Sequence, residues 1–359
     1  MNTSATVTPF EAGDVPALRR DLLEWLRDGR GLHYHTLTSQ HAGTMLGLPE
    51  YDGHPDLMAS FAEILCDREA RSLAVAELYF VTAEMTEIVQ AAAVGLPAFV
   101  PDREDFPSPA GLIVFETPLV QYDRLEEPAA VIVENRLAAD FRKQPFETVG
   151  ITAATWGPYD GAGQWQSGGV LMSFYRDRRE MLANLLDDRI RGDVRGTLAR
   201  LMPDNEFAFQ FTAGPERAAR EADLRRHDSP AFTSYWAKHL MATLLLMRQP
   251  LVYQRAETIR RNLRRQLQRA GYPTGDVRVL DARPRRYERV ASDGTEAAAG
   301  ERKLGVRFPV AGHWRNHWYP RRQVHRPLWI DEHWRGPEDA PIVHQERVRV
   351  LRAHSDAKH

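Results

Sequence analysis

Residues 313–335 read HWRNHWYPRRQVHRPLWIDEHWR, with four of the chain's eight tryptophans, four of its histidines and five arginines. The backbone conformation of this stretch decides what the C-terminal part of the chain is. A helix would bring His313 and His317 together at i, i+4, but Pro309, Gly312 and Pro320 oppose one. An extended backbone instead sorts the residues by alternation. Val306, Phe308, Val310, Gly312, Trp314, Asn316 and Trp318 then share one face. Arg307, Pro309, Ala311, His313, Arg315 and His317 share the other. The apolar residues fall with the indoles, so the stretch is read as a strand. Trp314 and Trp318 become core anchors or, if exposed beside cations, a base-stacking platform.

The opposite face lines up His313, Arg315 and His317, donors suited to phosphate or carboxylate. In the next strand His325, Pro327, Trp329, Asp331 and His333 share a face. If the two strands pair, His313, His317, His325, Asp331 and His333 can cluster. Their spacing matches no standard metal signature, and no metal is assigned. As a catalytic set, His313, Arg315 and His317 would clamp an anion and move protons, with Asp331 or Glu332 orienting a histidine.

Upstream, RAETIRRNLRRQLQRAG (255–271) is read as a helix with a narrow stripe at Ile259, Leu263 and Leu267. The rest of its surface is basic. Arg260, Arg261, Arg264 and Arg265, joined by Arg315 and Arg326, are the expected anion contacts. Charge supports the reading. Residues 255–354 carry 22 Lys and Arg against 12 Asp and Glu, a net +10, whereas residues 1–254 carry 24 against 36, a net −12. Nearly all the C-terminal bases are arginine, whose planar fork matches phosphate. The competing explanation is that the basic part docks on the acidic one.

The acidic part mixes helices and strands. VPALRRDLLEWLR follows Asp14 as an N-cap, with Leu18, Leu22, Trp25 and Leu26 on one face. A second helix runs from about Asp56 to Arg71. AVAELYFV continues it or begins a strand. Thr82 caps AEMTEIVQAAAVG. GLIVFETP, VGITAATWG, GGVLMSFYR and EFAFQF are read as strands, and AFTSYWAKHLMATLLLMRQP, started by Ser229-Pro230, as a central helix. Beyond it, DVRVLDAR, RRYERV, RPLWID and ERVRVLR are strands and 292–301 a polar hairpin tip. The expected class is α+β, with an acidic body over 1–254 and a basic helix plus antiparallel sheet over 255–359.

Several function classes fall away. The single cysteine, Cys66, allows no intramolecular disulfide and no multi-thiolate zinc site, and it sits on an apolar helix face. No leader pattern opens the chain, and MATLLLM at 241–247 is too short to span a membrane. A soluble cytoplasmic protein is expected. Walker A, GxGxxG, GxSxG and HExxH motifs are absent. GPYDGAGQWQSGG (157–169) is read as a loop between strands. His33 and His35 would share a strand face near His41, and His239 is read as a core histidine. Glu116 ends a strand, a common place for a catalytic carboxylate.

The segment GHWRNHWYPRRQVHRPLWIDEHWRGPEDAPI resembles the C-terminal signature of a group of uncharacterised actinobacterial and actinophage proteins, which pair GHWR and WYP with HRP.WI and GP..AP. LYFVTAEMTEIV, FPSPAGLIVFETPL and LMATLLLMRQPLV resemble that group as well. The resemblance implies a mobile-element or host-defence setting. It transfers no catalytic residue and no cofactor. The expected function is that of a nucleic-acid-associated protein of mobile-element, defence or regulatory type, contacting phosphates through the arginine helix and the His/Arg face of the C-terminal sheet. The alternatives are an enzyme acting on an anionic small molecule or nucleotide through His313, Arg315 and His317, and a non-catalytic protein-interaction factor.

Overall fold

The computed structural model describes residues 8–36, 55–123, 148–163, 165–183, 198–212, 215–226, 232–249, 251–282, 307–320, 324–337 and 340–341. The chain has an α+β fold and divides into two compact units, Met1–Pro284 and Arg285–His359. The division falls later than the 254/255 boundary suggested by charge, because the strands just after residue 251 belong to the first unit's sheet.

In the first unit the helices are α1 (Val15–Arg27), α2 (Pro55–Val75), α3 (Ala83–Gly95), α4 (Arg178–Ala183), α5 (Pro215–Arg226), α6 (Thr233–Leu246) and α7 (Arg261–Arg269). The strands are β1 (Glu77–Val81), β2 (Gly111–Phe115), β3 (Val120–Asp123), β4 (Thr148–Ile151), β5 (Ala153–Tyr159), β6 (Gly169–Asp177), β7 (Leu201–Gln210), β8 (Val252–Glu257) and β9 (Val277–Ala282). Seven strands form one sheet in the order β7-β6-β5-β2-β1-β9-β8. β1 runs parallel to both neighbours, and the other pairings are antiparallel. β3 and β4 pair separately.

Helices pack on both faces of this sheet. α1 and α2 cover Leu78, Phe80, Leu112, Val114 and Val279. α3 and α6 pack together over the opposite side, where the Trp236 ring meets Phe174 at 5.8 Å. Burial on two faces is why GLIVF carries no polar alternation: every residue of β2 is buried. Leu18, Leu22 and Trp25 of α1 are fully buried, each side chain contributing about 1.5–3 kcal/mol or more through burial.

Local signals set most boundaries. Thr82 Oγ1 accepts the Met85 N–H at 3.4 Å and starts α3 as expected. α2 reaches Val75, and β1 begins two residues later, so AVAELYFV holds both a helix end and a strand. Asp14 takes the expected N-cap position of α1, but its side chain does not cap that helix. A short 3₁₀ turn, Ala12–Asp14, precedes α1, and the Asp14 carboxylate accepts the Glu11 N–H at 3.0 Å. α6 is described from Thr233. Its His239 is buried, with Nδ1 2.9 Å from the Tyr235 carbonyl.

The expected helix over 255–271 is shorter. Residues 255–257 extend β8, where Arg255 stands opposite Val279 and Glu257 opposite Val277. Pairing with β9 overrides the helical pattern there.

The second unit holds β10 (Phe308–Val310), β11 (His313–Tyr319), β12 (Val324–Ile330) and β13 (His333–Arg335). β10 pairs with β13 and β11 with β12, both antiparallel. The expected strands RRYERV and ERVRVLR and the polar tip at 292–301 lie outside the described residues. Among the described residues, no helix is long and apolar enough to cross a membrane.

Candidate nucleic-acid interface

α7 presents two faces. Leu267 and the preceding Ile259 are buried and Leu263 half-buried, which is the stripe read from the sequence. On the other side Arg261, Arg265 and Arg269 are exposed at i, i+4 and i+8, about 6 Å apart along the axis. None of the three makes an ion pair with a described residue. Two of the other expected arginines have partners: Arg260 stands 3.5 Å from Glu11 and Arg264 3.4 Å from Asp276. The Arg260 side chain is 81% exposed, and such pairs contribute about 0–1 kcal/mol. A phosphate can therefore compete for it.

In the second unit the register of β11 and β12 fixes which side chains share a face. Trp314 faces Trp329, Asn316 faces Pro327 and Trp318 faces His325. The two indoles of the first pair meet at 5.2 Å, nearly edge to face, so Trp314 is an anchor within the hairpin. Trp318 is 41% exposed and 4.9 Å from the His325 ring. Of the two indoles of β11, it is the exposed one. The other face carries His313, Arg315 and His317 opposite Ile330, Leu328 and Arg326.

Three expectations change here. His325 falls on the tryptophan face, away from His313 and His317. Arg326 is only 7% exposed and is withdrawn from the expected anion contacts, whereas Arg315 stays exposed. Among the described residues no carboxylate is found orienting these histidines: His313 Nδ1 lies 3.0 Å from the Ala311 carbonyl and His333 Nδ1 2.9 Å from that of Asp331. His313 and His333 do approach, with ring centroids 6.4 Å apart. Among the described residues no group of three or more His, Cys, Asp or Glu could hold a metal ion.

The other sequence candidates have structural explanations. Glu116 Oε2 accepts the Ala83 N–H at 2.8 Å, so this carboxylate closes the first turn of α3. His33 and His35 lie in a helical segment, 30–36, with His33 exposed and His35 buried. They share no strand face, and His41 lies outside the described residues. The glycine-rich loop joins β5 to β6 and makes its turns with positive φ at Gly161, Gly163 and Gly168.

Sequence reasoning missed a polar row inside the first unit. Thr155, Ser173 and Glu206 are cross-strand neighbours on β5, β6 and β7, facing Glu69 of α2. Thr155 Oγ1 lies 3.5 Å from Glu69 Oε1 and 3.3 Å from the Tyr175 hydroxyl. Burial first, and then the Glu206 charge, push the Glu69 carboxyl up to about 8. Burial, then Asp204, raise Glu206 to about 7. His35 Nδ1 sits 3.9 Å from Glu206, yet burial drives its pKa down to about 4, so it is neutral at pH 7 and forms no ion pair there. The only signal in the sequence is a polar letter in each of VGITAATWG, GGVLMSFYR and EFAFQF.

Comparison with protein-family models, with curated proteins and with solved structures finds no match.

Proposed function

We propose that this chain is a nucleic-acid-associated protein of mobile-element, defence or regulatory type. It contacts phosphates through α7 in one unit and through the Arg315 side of the β11–β12 hairpin in the other. The observation that carries the reading is the row Arg261, Arg265 and Arg269, exposed on one helix face without carboxylate partners among the described residues. Guanidinium groups so spaced engage successive backbone phosphates and release their counterions. Trp318, exposed on the opposite face of the same hairpin, supplies a stacking ring.

Fluorescence anisotropy with labelled single-stranded DNA and RNA tests the hairpin's part. Trp318→Ala weakens binding by about 1–3 kcal/mol if one base stacks there, and Arg315→Ala weakens it without sequence preference. Equal affinity in both variants and the parent chain excludes the hairpin from the interface.

A further inference from the structure

The antiparallel ribbon of the second unit keeps one register along its length, with Val310 opposite His333 and His313 opposite Ile330. Pairing lapses between those two rungs, at Ala311 and Gly312 on one strand and at Asp331 and Glu332 on the other. In an unbroken ribbon His313 and His333 would lie three rungs apart, on opposite faces. The lapse brings their rings together instead, with centroids 6.4 Å apart and planes inclined at 42°. The backbone before His313 is closely packed, since a methyl group at residue 312 would run into the Trp329 ring.

Both imidazoles are held in the same way. His313 Nδ1 lies 3.0 Å from the Ala311 carbonyl and His333 Nδ1 2.9 Å from the Asp331 carbonyl, in each case two residues back along the strand. A carbonyl oxygen only accepts, so Nδ1 carries the proton in each ring. In the neutral ring Nε2 then carries the lone pair. A histidine that ligates a metal through Nε2 is oriented in this manner, its Nδ1–H held by a carbonyl or carboxylate. Both residues are exposed, so an ion can reach them from solvent.

We propose that His313 and His333 form a two-imidazole site for a divalent transition-metal ion of the zinc or copper class, bound through the two Nε2 atoms. Imidazole nitrogen selects such ions over magnesium and calcium, which take oxygen ligands. With Zn–N bonds of about 2.1 Å, two rings on one tetrahedral ion have centroids about 5 Å apart. The observed separation is about 1 Å wider, a gap that small turns about the side-chain torsions close. Two protein donors leave the remaining positions to water, which makes an exchangeable site rather than a closed structural one. The site is independent of the arginine row of α7.

Histidine-ring ¹⁵N NMR of the full chain tests this, with Zn²⁺ as the probe and Mg²⁺ as the comparator, the two rings being assigned through the backbone. Before zinc is added both rings are expected to show the Nδ1–H tautomer. On titration their Nε2 signals are expected to shift together and to saturate at one equivalent, while Mg²⁺ leaves them unmoved. His313→Gln is expected to weaken zinc binding at His333 at least about tenfold, and His333→Gln to do the same at His313, the loss of a ligand costing no less than the loss of an outer-shell partner. The titration of the parent chain decides by itself if a variant fails to fold. An Nε2–H tautomer in either ring, no shift with zinc, shifts that saturate at different zinc concentrations, an equal response to Mg²⁺, or undiminished affinity in a folded variant overturns the proposal.

Discussion

Arg264 reaches to 3.4 Å from the Asp276 carboxylate, while Arg265, a step of about 100° further round α7, is exposed and makes no ion pair with a described residue. Neighbouring arginines on one helix therefore have different work. Arg264→Ala is expected to lower stability by no more than about 1 kcal/mol, as for an exposed pair, and to change nucleic-acid affinity less than Arg265→Ala does. Thermal melts and anisotropy of the two variants separate these effects.

Glu69 makes stability depend on pH. Its carboxyl is raised from an ordinary 4.5 to about 8 in the folded chain, so folding tightens proton binding. The stability this contributes is complete below pH 4.5 and is lost as pH rises through about 8. Glu69→Gln keeps the polar contacts to Thr155 and removes the titration. Denaturant unfolding between pH 6 and 9 should show the parent chain weakening with rising pH and the variant weakening less, the remainder coming from Glu206, whose carboxyl is raised to about 7.

Cys66 is buried, and burial, with the Glu69 and Glu206 carboxylates behind it, pushes its thiol up to about 12. A thiol this basic carries almost no thiolate at pH 8. A thiol-reactive disulfide dye at pH 8 should leave the folded chain unlabelled and label it stoichiometrically in denaturant. Rapid labelling of the folded chain contradicts the burial.

Gly111 opens the central strand β2 directly against Trp156, whose indole N–H donates to the Ser108 carbonyl at 2.9 Å. A methyl group at residue 111 would enter the Trp156 ring. Gly111→Ala should therefore cost about 1–3 kcal/mol or more through overpacking, read as a lower unfolding midpoint. An unchanged midpoint contradicts that placement of the ring.

Much of the architecture was legible because the strongest signals are local. Thr82 before an apolar-periodic run, Gly95 and Pro97 after it, and the unbroken GLIVF all encode their structure within a few residues. The alternation in 313–319 was legible for the same reason, and it placed His313, Arg315 and His317 opposite the indoles. What alternation does not encode is the partner strand's register. That register sent His325 to the tryptophan face, since one residue of slip exchanges the faces; Arg326 pairs opposite His317 on the other face and is buried there all the same, which alternation does not encode either. β8 was hidden because its backbone partner, β9, supplies the hydrogen bonds that decide strand over helix. The row Thr155, Ser173, Glu206 and Glu69 comes from four separate segments, and only the assembled sheet brings it under α2.

The central claim is that α7 holds nucleic acid by its exposed arginine row, and its most direct test is the salt dependence of binding. Association constants for duplex DNA and single-stranded RNA are measured across a monovalent salt series for the parent chain and for Arg261→Ala/Arg265→Ala/Arg269→Ala. Three lost phosphate contacts should reduce the log–log slope by about 2.7 on duplex DNA, or about 2.1 on a single strand. Flat salt dependence, identical slopes in the two proteins, or no binding at low salt would contradict the account.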